Sequence, residues 1–556
     1  MHLNGLVLTV LWASSWLCAV GHEVPDLVPV RNVAVIGAGA AGSSTAYYLR
    51  RYADEHGLGV NITLFEKTDR IGGRTLTINS YGDPNIHVEL GASIFVEVNA
   101  ILYNATKEFG LEPSSPYEKG LKSTSSKNKE DKDEIMAIWD GDRIRFSINE
   151  SHSSWWTSAR LVWRYGFFAL RNAQKLMHKT IGKFLNMYNE PHFPFQSLTE
   201  TAQNLGLLEE TSVTGEEFLR KNKIPELLSH EFIQAMTRVN YASNLANIHG
   251  LDTMVATAPE GAMSIAGGNW QIFDRMVKAS GARVLRNTSV TQVAKDPSSS
   301  SGPYYITTSD SHGSAKEDSG IASFDDVVIA TPYQFSNMKV MSIDPVIDKI
   351  PYVQLHVTIF ASPHRLSAAY FKVSPSEVPT MVLTTLPEGA DPNSGSEGAG
   401  KAGFFSISTL RTLDNPKTGQ EEYLYKIFSP KSVTPGFLSD ILGVSIPDTF
   451  DTGEFQPHGT GQGTEDAEPI SWYYTHVFNS YPKAFPRVTF QDPVLADGLY
   501  YTSGMESFIS TMETNALMGM NVAKLIVDDM LGAAKEEVNF SNSDGRDGEQ
   551  VILQEL

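Results

Sequence analysis

A chain of 556 residues, 41% hydrophobic and 19% charged, has the composition of a soluble globular protein and the length for roughly two to four ordinary domains. Its 64 Asp and Glu outnumber 44 Lys and Arg, and the net charge of -20 argues against nucleic acid or an anionic membrane as the main partner, while leaving room for a local basic patch. A single cysteine, Cys18, excludes a disulfide framework within the chain and a thiolate nucleophile beyond the N-terminal segment.

The uncharged apolar run Leu6 to Val20, followed by Gly21, predicts a signal peptide over residues 1–21. The alternative, a membrane anchor, meets a run too short to span comfortably. A signal peptide places the protein in the secretory pathway, extracellular or in a lysosome or vacuole. Glycosylation sequons beginning at Asn61, Asn104, Asn149, Asn287 and Asn539 agree with that route.

Asn32 to Ile36, "NVAVI", predicts a short buried strand, the Ala-rich "AAGSSTAYYLRRYADEH" a helix, and "VNITLFE" a second strand. Gly37, Gly39 and Gly42 form G-x-G-x-x-G in the turn between strand and helix, with Ala41 beside the last glycine. The first glycine permits the turn, the second lets backbone approach a pyrophosphate, and the third lets helix and strand touch. Glu66 ends the second strand, followed by Lys67. A carboxylate there accepts ribose hydroxyls and repels a 2′-phosphate, which disfavours NADP. Next, Gly72 and Gly73 lie between Arg70 and Arg74 in "DRIGGRT". A second close backbone approach beside a planar cation suits a second pass over a diphosphate, and favours FAD over NAD.

Further along, apolar residues from Trp155 to Tyr188 recur at helical spacing. Two readings stand for this aromatic helix: a core helix with solvated arginines, or a lipid-facing wall or membrane-resting face with Arg160, Arg164, Arg171 and Lys175 opposite. The polar stretches 122–134, 296–302, 389–403 and 459–468 predict surface loops. Residues 532–556 predict an acidic, mobile tail. No Ser/His/Asp arrangement or metal-ligand cluster stands out.

Taken together, "IGAGAAGSS", "FEKTDRIGGR", "ELGASIF", "RVNY" (Arg238 to Tyr241), "GGNWQ" (Gly267 to Gln271), "GLYYTSGME" and "METNALMGMNVA" resemble the prenylcysteine oxidase (prenylcysteine lyase) family, within the amine-oxidase-like flavoproteins. The resemblance implies an α/β fold. A Rossmann-like FAD-binding domain of the amine oxidase/glutathione reductase type would be assembled from 30–95, 266–340 and 495–531, with a mixed α+β substrate domain from 96–265 and 341–494. It implies Gly91, Ala92, Ser93 and Ile94 beside the isoalloxazine, Val290 against the adenine end, and Glu506 at the ribityl or phosphate region. Thr511 and Met512 would open the last helix toward the flavin N1 edge, where a helix N-terminus favours negative charge. The implied reaction is thioether oxidation: a hydride leaves the prenyl carbon attached to sulfur, and water adds to give a hemithioacetal. That species collapses to cysteine and a prenyl aldehyde while O2 becomes hydrogen peroxide. Glu513 and Tyr241 are candidates to take the proton from water, and Tyr241 and His249 to face substrate. Two alternatives remain: another flavin oxidase acting on an amine or lipid, and a catalytically silent flavin-containing lipid-binding protein.

Overall fold

The computed structural model describes residues 30–115, 134–149, 154–258, 261–296, 298, 302–310, 322–341, 347–451 and 469–550. The expected signal peptide, nearly all of the 122–134 loop and the whole of 459–468 lie outside the described residues.

The first strand, Arg31–Ile36, buries its last four residues because both of its faces are covered. It is central in a six-stranded sheet ordered Val494–Ala496, Leu499–Tyr501, Asp326–Ile329, Arg31–Ile36, Val60–Phe65, Arg283–Leu285. All neighbours are parallel except the first pair. The helix Ala40–Glu55 leaves the end of the first strand and lies against the last helix, Met512–Gln550. Contact is close enough that a Cβ at Gly519 would fall 2.2 Å from the Ala41 carbonyl oxygen, and Ser44 donates to the Ala516 carbonyl at 2.6 Å. A second sheet of four strands, including Thr288–Lys295, flanks this unit.

The remaining large sheet has seven strands, ordered Trp472–Pro482, Tyr352–Ser362, Glu421–Ser429, Ser406–Asp414, Met381–Thr384, Ile135–Trp139, Ile144–Asn149. Side chains alternate across a strand, so Ser406, Ser408 and Leu410, Lys426 and Phe428, and His476, Phe478 and Ser480 share one face and form a wall of the cavity described below. Helices between 154 and 256 cover another part of the sheet, with Ile138, Phe146, Tyr165 and Leu176 in one apolar cluster.

Three expectations change. The aromatic helix is two helices, Ser154–Tyr165 and Phe167–Leu185, because Gly166 takes φ +86° between them. The Gly/Ser-rich segment 389–403 is not wholly superficial. Arg238, fully buried, reaches into it and donates to the carbonyls of Gly398 and Ala399, both at 2.9 Å, and to Asn244 Oδ1 at 2.7 Å. The last helix runs on to Gln550, through the region expected as a mobile tail, where Ala533, Ala534, Lys535 and Glu536 are good helix formers.

Candidate active site

One cavity of about 700 Å³ runs from the glycine turn of the six-stranded sheet to the face of the seven-stranded one. At its first end the walls are backbone. A Cβ on Gly42 would lie 1.9 Å from the Gly37 oxygen, and one on Gly73 would meet the Gly39 Cα at 3.0 Å. Gly37 itself has φ +105°. Helix Ala40–Glu55 begins at Gly39 with no side-chain cap and no acidic residue in its first turn, so its leading amides and positive dipole end are left for an anion. Glu66, buried at the end of its strand, accepts from the Ala38 amide at 2.9 Å and from the Thr68 amide at 2.9 Å. Gly37, Gly39, Ala41, Glu66, Lys67 and Gly73 all line the cavity; Gly42 stands behind it, holding helix to turn.

Arg74 crosses the middle of this wall. Its guanidinium meets Glu506 Oε1 at 2.7 Å and donates to the Ser480 carbonyl at 3.1 Å, while Tyr352 donates to Glu506 Oε2 at 2.6 Å. Both Glu506 oxygens are therefore engaged, and this carboxylate orients Arg74 as well as lining the cavity. Val290 lines the wall from the strand Thr288–Lys295. Thr511 and Met512 line it from the head of the last helix, but the Thr511 amide is donated to Thr514 Oγ1 at 3.0 Å inside its own turn and is not offered to the cavity.

Gly91, which ends the strand His87–Gly91, and Ala92, Ser93 and Ile94 after it run along the cavity, and Ala92 has φ +53°. "GGNWQ" fixes this segment: Asn269 donates its side-chain amide to the Ala92 carbonyl at 2.9 Å and its backbone N–H to Glu89 Oε1 at 2.6 Å. Burial pushes Glu89 up to about 7. Lys426, from the seven-stranded sheet, points to the same place and donates to the Glu89 carbonyl at 3.1 Å and toward Ser93 Oγ at 3.4 Å. Burial pulls its ammonium down to about 8. Sequence reasoning missed Lys426. A lysine in step with Phe428 on a mostly buried strand was the available signal, visible only once the strand's inner face is known.

At the other end the walls are side chains from distant segments: Ile181, Phe184, Leu185, Val239, Tyr241 and Val255. Tyr241 is 5% exposed, packs edge-on to Tyr481 with ring centroids 6.1 Å apart, and burial raises its phenol well above the ordinary range. Such a group is a poor base. Glu513 also lines the cavity and is pushed up to about 7 by burial, but both its oxygens are taken. They accept from the amides of Ile101 at 2.9 Å and Leu102 at 3.0 Å, and from the Tyr188 hydroxyl at 2.8 Å. It holds the start of the helix Ala100–Glu108. His249 does not line the cavity; it is fully buried, caps the helix Gly250–Ala256 by accepting from the Asp252 amide at 3.2 Å, and burial lowers it to about 4.

A family model described as prenylcysteine lyase matches residues 148–539, and one for an NAD(P)-binding Rossmann-like domain matches 35–109. The chain belongs to the prenylcysteine lyase family. Among similar prenylcysteine lyase relatives, farnesylcysteine lyase of Arabidopsis thaliana is 27% identical over 92% of this chain and 90% of its own. Prenylcysteine oxidase 1 of Bos taurus is 26% identical over 89% and 88%. Of solved structures, cyclohexylamine oxidase from Brevibacterium oxydans superposes with TM-score 0.51 at 15% identity, covering 90% of this chain and 100% of that one. A fatty acid isomerase from P. acnes gives TM-score 0.53 at 13% identity, covering 89% and 98%. These likenesses show the fold of flavin amine oxidases. This family member is an FAD-dependent oxidoreductase, and its glycine cradle, uncapped helix end and strand-terminal Glu66 fit that cofactor.

Proposed function

We propose that this enzyme cleaves prenylcysteine, farnesyl- or geranylgeranylcysteine, with water and O2 to cysteine, prenyl aldehyde and hydrogen peroxide. The observation that supports it is a single cavity joining a backbone-built dinucleotide end to an apolar end lined by Phe184, Leu185, Val239 and Val255. FAD, when bound, supplies the acceptor for a hydride from the carbon attached to sulfur, and O2 the final oxidant.

The chain does the rest. Phe184, Leu185 and Val239 give a prenyl tail an apolar seat and keep bulk water from it. Arg74, held by Glu506 and the Ser480 carbonyl, offers fixed donors to a phosphate or polar oxygen at the junction. Glu513 and Tyr241 are spent on structure, so we assign the handling of the water proton to Lys426, the titratable side chain beside Ser93. The apolar N-terminal run and the sequons support a secretory route, to a lysosome or vacuole or outside the cell.

The test is an anaerobic titration of the purified protein with farnesylcysteine, followed at about 450 nm, a wavelength set by the flavin itself. Bleaching with release of farnesal is the expected result. A flavin that stays oxidised with farnesylcysteine and bleaches with an amine would overturn the assignment.

A further inference from the structure

Trp163, Phe167 and Phe168 are 87%, 55% and 73% exposed, whereas the other aromatic rings among the described residues are mostly covered. They lie on both sides of Gly166, where the two helices meet, and the Phe167 and Phe168 ring centroids are 5.6 Å apart. The underside of this corner is anchored. Tyr165 is buried against Phe146 and Phe232, and Arg164 grips Glu231 through contacts of 2.5 and 3.0 Å. With those two side chains turned inward, the neighbouring rings are held outward.

Charge around the corner has one sign. Between Glu150 and Glu190 the sequence contains no Asp or Glu, against six Lys or Arg, in a chain of net charge -20. Arg164 and Lys183 are paired internally, with Glu231 and Glu210. Arg160, Arg171, Lys175 and Lys179 are exposed, and the last three recur every fourth residue along one helix face. Arg160 precedes Trp163 by one turn and Arg171 follows Phe168 by one turn. The far end of the same helix, Phe167–Leu185, carries Ile181, Phe184 and Leu185 into the cavity.

We propose that this corner docks the enzyme on the surface of an anionic lipid bilayer. The three rings enter the boundary between headgroups and acyl chains, and the four cations lie against lipid phosphates. No helix among the described residues is long and apolar enough to cross a membrane, so the contact is peripheral. A second copy of the chain fits the corner less well, because a twofold contact would set like charges against each other. The purpose of the contact rests on the prenylcysteine reading: a lipid-tailed substrate partitions into bilayers, and the docked helix leads from bilayer to cavity.

The experiment is flotation of the full chain, without substrate, on vesicles of phosphatidylcholine alone and with roughly 30% phosphatidylserine. The wild type is expected to float with the anionic vesicles and to come off as salt rises. The variant Trp163→Ser/Phe167→Ser/Phe168→Ser is expected to lose at least about tenfold in partitioning. Arg171→Glu/Lys175→Glu/Lys179→Glu should lose binding to the anionic vesicles alone. Both should keep bound flavin, which shows that they are folded. A wild type that does not float, or floats as well after removal of the three rings, overturns the proposal. So does a wild-type dimer in sedimentation that the Trp163→Ser/Phe167→Ser/Phe168→Ser variant dissolves, which would make the corner an interface between copies. Because flotation needs no turnover, protein that floats yet is not bleached by farnesylcysteine would remove the substrate assignment and leave the docking intact.

Discussion

The two ends of the cavity are made of different material. The dinucleotide end is main chain: glycines without room for a Cβ and a helix start without a cap. The substrate end is side chain, gathered from residues as far apart as Phe184 and Phe478. Backbone walls tolerate one ligand geometry and fail abruptly when a single atom is added. Walls of side chains can be resized in steps, so a shared flavin fold can serve several substrates by changing only that end.

The largest expected effect lies at the backbone end. Gly42→Val puts its first atom within 1.9 Å of the Gly37 oxygen, so the purified variant should carry no flavin absorbance, or not fold. If it binds flavin normally, the cradle is looser than a 1.9 Å approach allows. At the junction, Lys426→Met should lower kcat about 100-fold with bound flavin retained, and should remove an inflection near the ammonium's value of about 8 from the pH profile. An unchanged profile would deny the lysine its role. On the side-chain wall, Val239→Asp should raise KM for farnesylcysteine by about tenfold while the flavin spectrum stays the same. A lost spectrum would mean that the two ends are not separable.

The smallest effect concerns pH. Burial raises Glu89 in the fold from 4.5 to about 7. A carboxyl raised in this way costs nothing below the unfolded value; its cost grows as pH rises toward the folded value and persists above it. Glu89→Gln should therefore flatten the fall in thermal stability between pH 5 and 7, a difference on the order of 1 to 3 kcal/mol. His249, lowered to about 4, opposes this trend below 6.5 in both proteins and cancels in the comparison.

The contrast between the two ends also explains what could be read from residues alone. Gly37, Gly39, Gly42 and Glu66 follow one another along the chain, and their spacing carries the geometry because backbone conformation is local. Lys426, Glu506 with Arg74, and the Asn269 ties to Ala92 and Glu89 arise from contacts between segments at least 177 residues apart, which no spacing encodes. Glu513 shows the converse. An acidic residue beside the flavin-facing turn suggests chemistry, yet its oxygens are bound by the amides of Ile101 and Leu102, a partnership visible only after the last helix meets another. Gly166 carried a readable signal, but helical periodicity on both sides of it masked the break.

Among the described residues no carboxylate pairs with Arg238; its guanidinium is satisfied by Asn244, Thr384 and the main chain of residues 398–404. One side chain thus closes the segment from within, and the segment's glycine-rich composition says little about how it would meet a protease. Lys401 is exposed there, yet threading that bond into a protease cleft requires Gly398 and Ala399 to let go of a buried cation first. Digestion at Lys401 should therefore keep pace with opening of the surrounding domain, and in a degradative compartment such a loop would outlast others of similar composition.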